Sequence, residues 1–210
     1  MILARFCSSG SYAYRHDTRI YLSPPVSGTV DHCIAAVIGK NPGSATPATA
    51  PAPQHLHSLA LSSVKSDVTL SIIRNRFVNA FRLAGKAIPP GAYVQVWNLF
   101  YLCNPSIAPA ISAISGDASI PTCPTEGGAS ILCGKRGKFI IWYAWGGDDP
   151  ALNHFKSRFV TARHAACRQI YFDNATKVVV IGVMPSLVAK SRHPQGMLTT
   201  DFDQALAKLV

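Results

Sequence analysis

Short apolar runs, each closed by a turn, recur along the chain and set its organisation. The first, His32 to Gly39, is rich in β-branched residues and ends in glycine, which suits a buried strand. Tyr93 to Phe100 and Lys138 to Trp145 repeat the pattern, the latter ending in Gly146-Gly147. Lys177 to Met184 is the fourth run and leads into Pro185-Ser186. Between the first two runs the period changes. Leu70, Ile73, Phe77, Phe81 and Ala84 recur at helical spacing, which predicts a helix over 64–86, capped by Ser66 or Asp67 and ending near Gly85. Residues 150–168 read as a helix with Pro150 in its first turn, and 201–210 as a terminal helix. Near-continuous apolar strands separated by helices predict an α/β fold. The expected form is a three-layer αβα sandwich around a central four-stranded, mostly parallel sheet, in a single domain over 1–210.

The remaining segments are less regular. Residues 1–30 read as an N-terminal arm, within which Tyr12 to Leu22 has the polar-aromatic content of a short strand or arm. Residues 45–60 form a variable loop rich in Ala, Pro and Thr. Its His55 and His57 are spaced for metal binding but have no further ligands nearby, so they read as a solvated pair. Residues 103–130 form a second variable segment, either a helix around 109–115 or a partly ordered insertion.

Charge narrows the class of partner. Lys and Arg total 20 against 10 Asp and Glu, giving a formal charge of +10. That excess suits a polyanion such as nucleic acid, or serves solubility. Arg74, Arg76, Arg82 and Lys86 decorate the predicted helix as a solvated face, with phosphate contact as the alternative. The six cysteines form no C-x-x-C pair, so no zinc ribbon is expected, and they read as reduced thiols. With no secretory h-region and no membrane-length apolar run, the expectation is a cytoplasmic monomer with no membrane partner, no metal and no cofactor.

The strand ends carry the chemical signals, because function in parallel sheets gathers at their carboxyl ends. The first strand gives Gly39-Lys40-Asn41-Pro42-Gly43 and the second Asn98. The third gives Trp145-Gly146-Gly147 and the fourth Met184-Pro185-Ser186, followed by Leu187, Lys190, Arg192 and His193. In this order the motifs resemble the uracil-DNA glycosylase superfamily over about residues 30–196. The first resembles the G-I-N-P-G of its mismatch-specific thymine/uracil branch, with Lys40 in place of Ile, and the last resembles that branch's M-P-S. The stretch Ile38 to Ser44 is also similar to an uncharacterised bacterial family with an N-P-S/G turn.

The resemblance implies a DNA glycosylase that flips out a base and hydrolyses its N-glycosidic bond. Asn41 then positions the attacking water, and Asn98 hydrogen-bonds the base edge. Gly39, Lys40, Pro42, Gly43 and Met184 complete the base pocket. Pro185, Ser186, Leu187, Lys190, Arg192 and His193 meet DNA, with Leu187 as the candidate wedge. An asparagine orients water without deprotonating it, so its contribution is positional. Asn98 also fits a strand-end residue bonding local backbone.

Two departures matter. Gly43 stands where the strict uracil branch has a bulky Tyr, which leaves room for a damaged or 5-modified pyrimidine. Such bases extend to the glucosylated hydroxymethylcytosine of phage DNA, with antiphage defence as the role. Met184 stands where that branch has a His, and a thioether cannot donate a hydrogen bond. The alternatives are a uracil/thymine mismatch repair glycosylase, an inactive nucleic-acid-binding module, and a nucleoside-processing enzyme. For the last, Asp148 and Asp149 are the nearest carboxylates, though their context reads as a turn and helix cap. Trp142, Tyr143, Trp145 and Phe100 read as core, with one of them as a stacking partner for the base.

Overall fold

The computed structural model describes residues 1–9, 12–28, 30–41, 43, 61–65, 67–116, 139–147, 149–195, 197 and 200–210. Pro42, His55, His57, the candidate cap Ser66, Asp148 and most of the two variable segments lie outside them. The described strands are β1 (Ile2–Ser9), β2 (Tyr12–Tyr21), β3 (His32–Gly39), β4 (Ser62–Ser63), β5 (Ala92–Asn98), β6 (Ile140–Tyr143), β7 (Arg168–Asp173) and β8 (Val178–Ile181). They form one sheet in the order β4-β1-β2-β5-β3-β6-β7-β8. The helices are α1 (Val68–Leu83), α2 (Ile107–Gly116), α3 (Asn153–Ser157), α4 (Ala162–Ala165) and α5 (Thr200–Ala207), with a 3-10 turn at Pro150–Leu152.

The fold is α/β, but the sheet is larger and more mixed than four mostly parallel strands. β5, β3, β6 and β7 pair in parallel. β1, β2 and β4 extend one side in antiparallel fashion, and β8 pairs antiparallel to β7 at the other edge. The fourth parallel strand is therefore β7, inside a stretch whose beginning reads as helix. The apolar run 177–184 supplies the edge strand, of which Val178 and Ile181 are exposed. The predicted helix over 150–168 is a succession of short turns that ends where β7 begins.

Both faces of the central strands are buried, which explains their lack of polar alternation. Ala35, Val37, Ile140 and Trp142 face one cluster with Phe77 of α1 and Phe202 of α5. Ala36, Ile38, Ile141 and Tyr143 face the other, with Ala110 of α2 and Phe155 of α3. α1 begins where the Asp67 carboxylate accepts from the Leu70 N–H at 3.1 Å. It ends at Gly85, whose φ of +65° suits a residue without Cβ. There the Lys86 N–H reaches the Phe81 carbonyl at 3.0 Å and the Gly85 N–H the Arg82 carbonyl at 3.2 Å. α1 and α5 are tied by Arg76, which donates to both carboxylate oxygens of Asp203 at 3.3 Å.

The N-terminal segment is a hairpin built into the sheet. Its register slips at Asp17, a residue with φ of +47°, as at a β-bulge. Burial alone would raise the Asp17 pKa. Hydrogen bonds from Arg19 and Arg5 outweigh it and hold the carboxyl below its usual range. Next to it, His16 is 2% exposed, and neither ring nitrogen has a hydrogen-bond partner.

Burial pushes the His16 pKa from 6.5 down to about 4, with Asp17 opposing and Arg5 reinforcing the shift. Because the folded value lies below the unfolded one, the unfolded chain takes up the extra proton in this window. The contribution is neutral above pH 6.5, and stability is lost as the pH falls towards 4, by up to about 3 kcal/mol. His16→Phe keeps the ring and removes the titration. In circular-dichroism melts it should unfold at or above the wild-type temperature at pH 7 and show a flatter profile from pH 6.5 to 4. Profiles parallel to wild type would refute the assignment.

Candidate active site

β3 lies between β5 and β6. The chain leaves β3 towards α1 on one face, and leaves β6 towards the 3-10 turn and α3 on the other. Neighbouring parallel strands whose connections diverge leave a crevice beyond their carboxyl ends. A cavity of about 490 Å³ opens there, within the roughly 300–1,000 Å³ of small-molecule sites. Its polar wall holds Asn41, Asn98, Lys40, His193, Arg15 and Asp67, and Val37, Val96, Leu70 and Ile73 give its apolar wall.

The two asparagines reach this cavity by different routes. Asn41 follows β3 and donates through Nδ2 to the Asn104 carbonyl at 2.8 Å, which leaves its Oδ1 as an acceptor. Asn98 ends β5 and is 3% exposed, and its Nδ2 has no protein partner. The ends of β3 and β5 are stitched together, because the Leu99 N–H reaches the carbonyls of Gly39 and Lys40, both at 2.9 Å. Gly39 is part of the seat: a Cβ there would stand 3.0 Å from Asn98 Oδ1. Gly43 adopts φ of +66°, and among the described residues no atom lies within 4 Å of where its Cβ would stand.

His193 enters from the opposite side and lies against Gly146, where a Cβ would approach the His193 Cβ to 3.3 Å. Burial lowers its pKa, Lys40 lowers it further, and Asp67 partly opposes both. The Gln195 N–H approaches its Nδ1 at 3.3 Å. That contact makes Nδ1 the acceptor and leaves the proton of the neutral ring on Nε2.

The structure thus gathers Gly39, Lys40, Asn41, Gly43, Asn98 and His193 around one cavity. It does not bring Met184, Pro185, Ser186, Leu187, Lys190 or Arg192 to it. β8 runs antiparallel to β7, and the Gly182 N–H bonds the Gln169 carbonyl near the amino end of β7. Met184 therefore follows the wrong end of a strand and packs against the α2–α3 side of the core. Pro185 is buried, Ser186 is exposed, and the Leu187 carbonyl accepts from Lys156 at 2.9 Å. Arg192 donates to Asn174 at 3.1 Å and lies over the Phe172 ring, and the Lys190 carbonyl accepts from the Asn174 N–H.

Three charged wall residues escape the sequence reading. Arg15 hides in the presumed arm, Asp67 reads only as a helix cap, and Lys65 lies just before it. No motif marks them; only the pairing of β2 with β5 and the start of α1 place them here. Asp149 caps the 3-10 turn and does not line the cavity. Trp142, Tyr143, Trp145 and Phe100 are fully buried in the core, and none is among the lining residues. Among the described residues no cluster of His, Cys, Asp or Glu is arranged to hold a metal ion, and no helix is long and apolar enough to cross a membrane. No protein-family model matches the chain, and neither a curated protein nor a solved structure matches it.

Gly39→Ala tests the seat of Asn98. The added methyl should turn the Asn98 amide away from the cavity at a cost of about 1–3 kcal/mol in stability. The expected result is a folded protein with a lower melting temperature and a displaced Asn98 side-chain amide signal in its NMR spectrum. An unmoved Asn98 signal would show that the site has slack.

Proposed function

We propose that this protein is a DNA glycosylase that extrudes a pyrimidine nucleotide and hydrolyses its N-glycosidic bond. The observation that carries the reading is the convergence of Asn41, Asn98 and His193 on one cavity at the carboxyl ends of the parallel strands. The net charge of +10 favours a polyanionic substrate.

In this reading Asn98 offers a donor and an acceptor to the base edge. Asn41, held by the Asn104 carbonyl, keeps Oδ1 free to orient a water. The water oxygen forms the new bond to the sugar C1′ as the bond to the base nitrogen breaks. The electron pair departs on the base, and the water's proton passes to solvent or to the leaving base. His193 supplies a donor where negative charge develops. Its lowered pKa keeps the ring neutral at physiological pH, and Lys40 adds a positive field. This gives His193 the role that Met184 cannot fill. The lack of a side chain at Gly43 would leave room for a substituent at the pyrimidine 5-position, up to a glucosylated hydroxymethyl group, which would make the enzyme an antiphage activity.

One observation favours a second reading. Asp67 puts a carboxylate in the same cavity, which a nucleoside-processing hydrolase would use on the sugar. Under that reading Asp67→Asn abolishes turnover of free nucleosides.

Single- and double-stranded DNAs carrying uracil, mismatched thymine, hydroxymethylcytosine or its glucosylated form would be incubated with the protein, and released bases identified by mass spectrometry. Wild type should release the modified base. Asn41→Ala should lower that rate by about a hundredfold or more while DNA binding persists. No released base from any wild-type incubation, with DNA still bound, would leave a binding module in place of an enzyme.

A further inference from the structure

A second set of residues lining the cavity has a chemistry of its own. Lys65, Asp67, Val68 and Thr69 line it, so the first turn of the 16-residue helix α1 faces the cavity. The Asp67 side chain caps only the Leu70 N–H. Helical geometry leaves the N–H groups of Val68 and Thr69 without an intrahelical acceptor. Arg15 of β2 also lines the cavity and is 2% exposed. It meets Asp67 through a single nitrogen at 3.5 Å, and its Nε has no protein partner. A buried guanidinium held by so little leaves donor capacity for a ligand. Arg15, Lys40 and Lys65 outnumber Asp67 along the cavity, so its field favours an anion.

We infer that Arg15, Lys65 and the first turn of α1 form a phosphate-binding subsite, so that the cavity takes a nucleotide with its phosphate and not a bare base or nucleoside. The inference rests on the reading of Asn98 as a base contact for its nucleotide part, but the phosphate subsite stands without it. The planar fork of Arg15 and the backbone N–H groups suit tetrahedral oxyanions. Asp67 then orients Arg15 towards the phosphate and caps the helix beside it. The phosphate comes either from a strand or from a free nucleotide, and the same oxygens would be recognised in both.

Isothermal titration separates these cases with inorganic phosphate, deoxyuridine, deoxyuridine 5′-monophosphate and a uracil-containing trinucleotide as probes. Wild type should bind the monophosphate at least tenfold more tightly than deoxyuridine and should bind inorganic phosphate measurably. Arg15→Gln and Lys65→Met should each erase most of that preference. Lys65 is exposed, so its variant keeps the test open if the buried Arg15 variant fails to fold. A trinucleotide that binds better than the monophosphate identifies strand phosphate, and the reverse order identifies a free nucleotide. Equal affinity of wild type for nucleoside and monophosphate overturns the subsite. Base excision that proceeds at the wild-type rate in Lys65→Met also overturns it and leaves the glycosylase standing. Phosphate binding lost in the variants, with no excision by any form, keeps the subsite and removes the glycosylase.

Discussion

The position of β3 is the constraint on which the rest of the molecule depends. It pairs in parallel on both sides, with β5 and with β6. Its own connection and that of β6 leave towards opposite faces, because each must cover one side of the sheet. Among the described residues no helix or strand closes the gap between them. Backbone bonds then hold the edges of the gap in place beyond the ladders. The Ala144 N–H bonds the Ile38 carbonyl at 2.8 Å, and the Leu99 N–H bonds Gly39 and Lys40. The loops that carry Asn41, Asn98 and Gly146 therefore start from fixed points. The N-terminal hairpin adds the last wall: β2 pairs with β5, and the Arg15 N–H bonds the Tyr101 carbonyl at 3.1 Å, so Arg15 is delivered beside the cavity.

What could be read from the sequence follows from burial. β3, β5 and β6 are largely apolar because helices cover both of their faces, so composition locates them in spite of Gln95 within β5. The α1 helix is legible from its period and its cap. β7 is not, because it opens with Arg168 and Gln169. The Gln169 amide is taken up by the carbonyls of His164 and Ala165, and Arg168 by that of Leu209. Backbone carbonyl partners of this kind let polar residues enter a central strand without leaving an apolar signature. β8 misleads in the opposite sense. Its Val178 to Ile181 run has the composition of a central strand on an exposed edge. The hairpin of β1 and β2 is masked by its charges, since Arg5 and Arg19 both bond to Asp17 and so become sheet residues.

For the site, the residues after β3 and β5 were legible because parallel strands announce their ends. Met184 to Leu187 lie away from the cavity for the same reason that β8 misleads: direction within a sheet leaves no mark on composition. Asp67 shows a further limit. A cap and a cavity wall make the same demand on a side chain, an oxygen aimed back at the start of a helix. The cap is visible in sequence and the wall is not.

His193 raises a different question, because it is delivered by neither a strand end nor a helix. From the end of β8, beside the amino end of β7, the chain crosses one face of the sheet and returns to pair Ser191 with Asp173. Such a strap would wander unless it were tied down along its length. Lys156 does this from α3. Its ammonium is fully buried and bonds the carbonyls of Leu187 and Asp149 and the side chain of Asn153. A charge taken that far from water is tolerated only when its donors are met, so the contact is strongly directional. The Trp145 Nε1–H reaches the Ala189 carbonyl at 3.5 Å, tying the strap to the turn after β6. The precision of the imidazole therefore comes from α3 and from that turn. Two polar anchors, Lys156 and the Trp145 indole, do for this segment what the ladder does for Asn41 and Asn98.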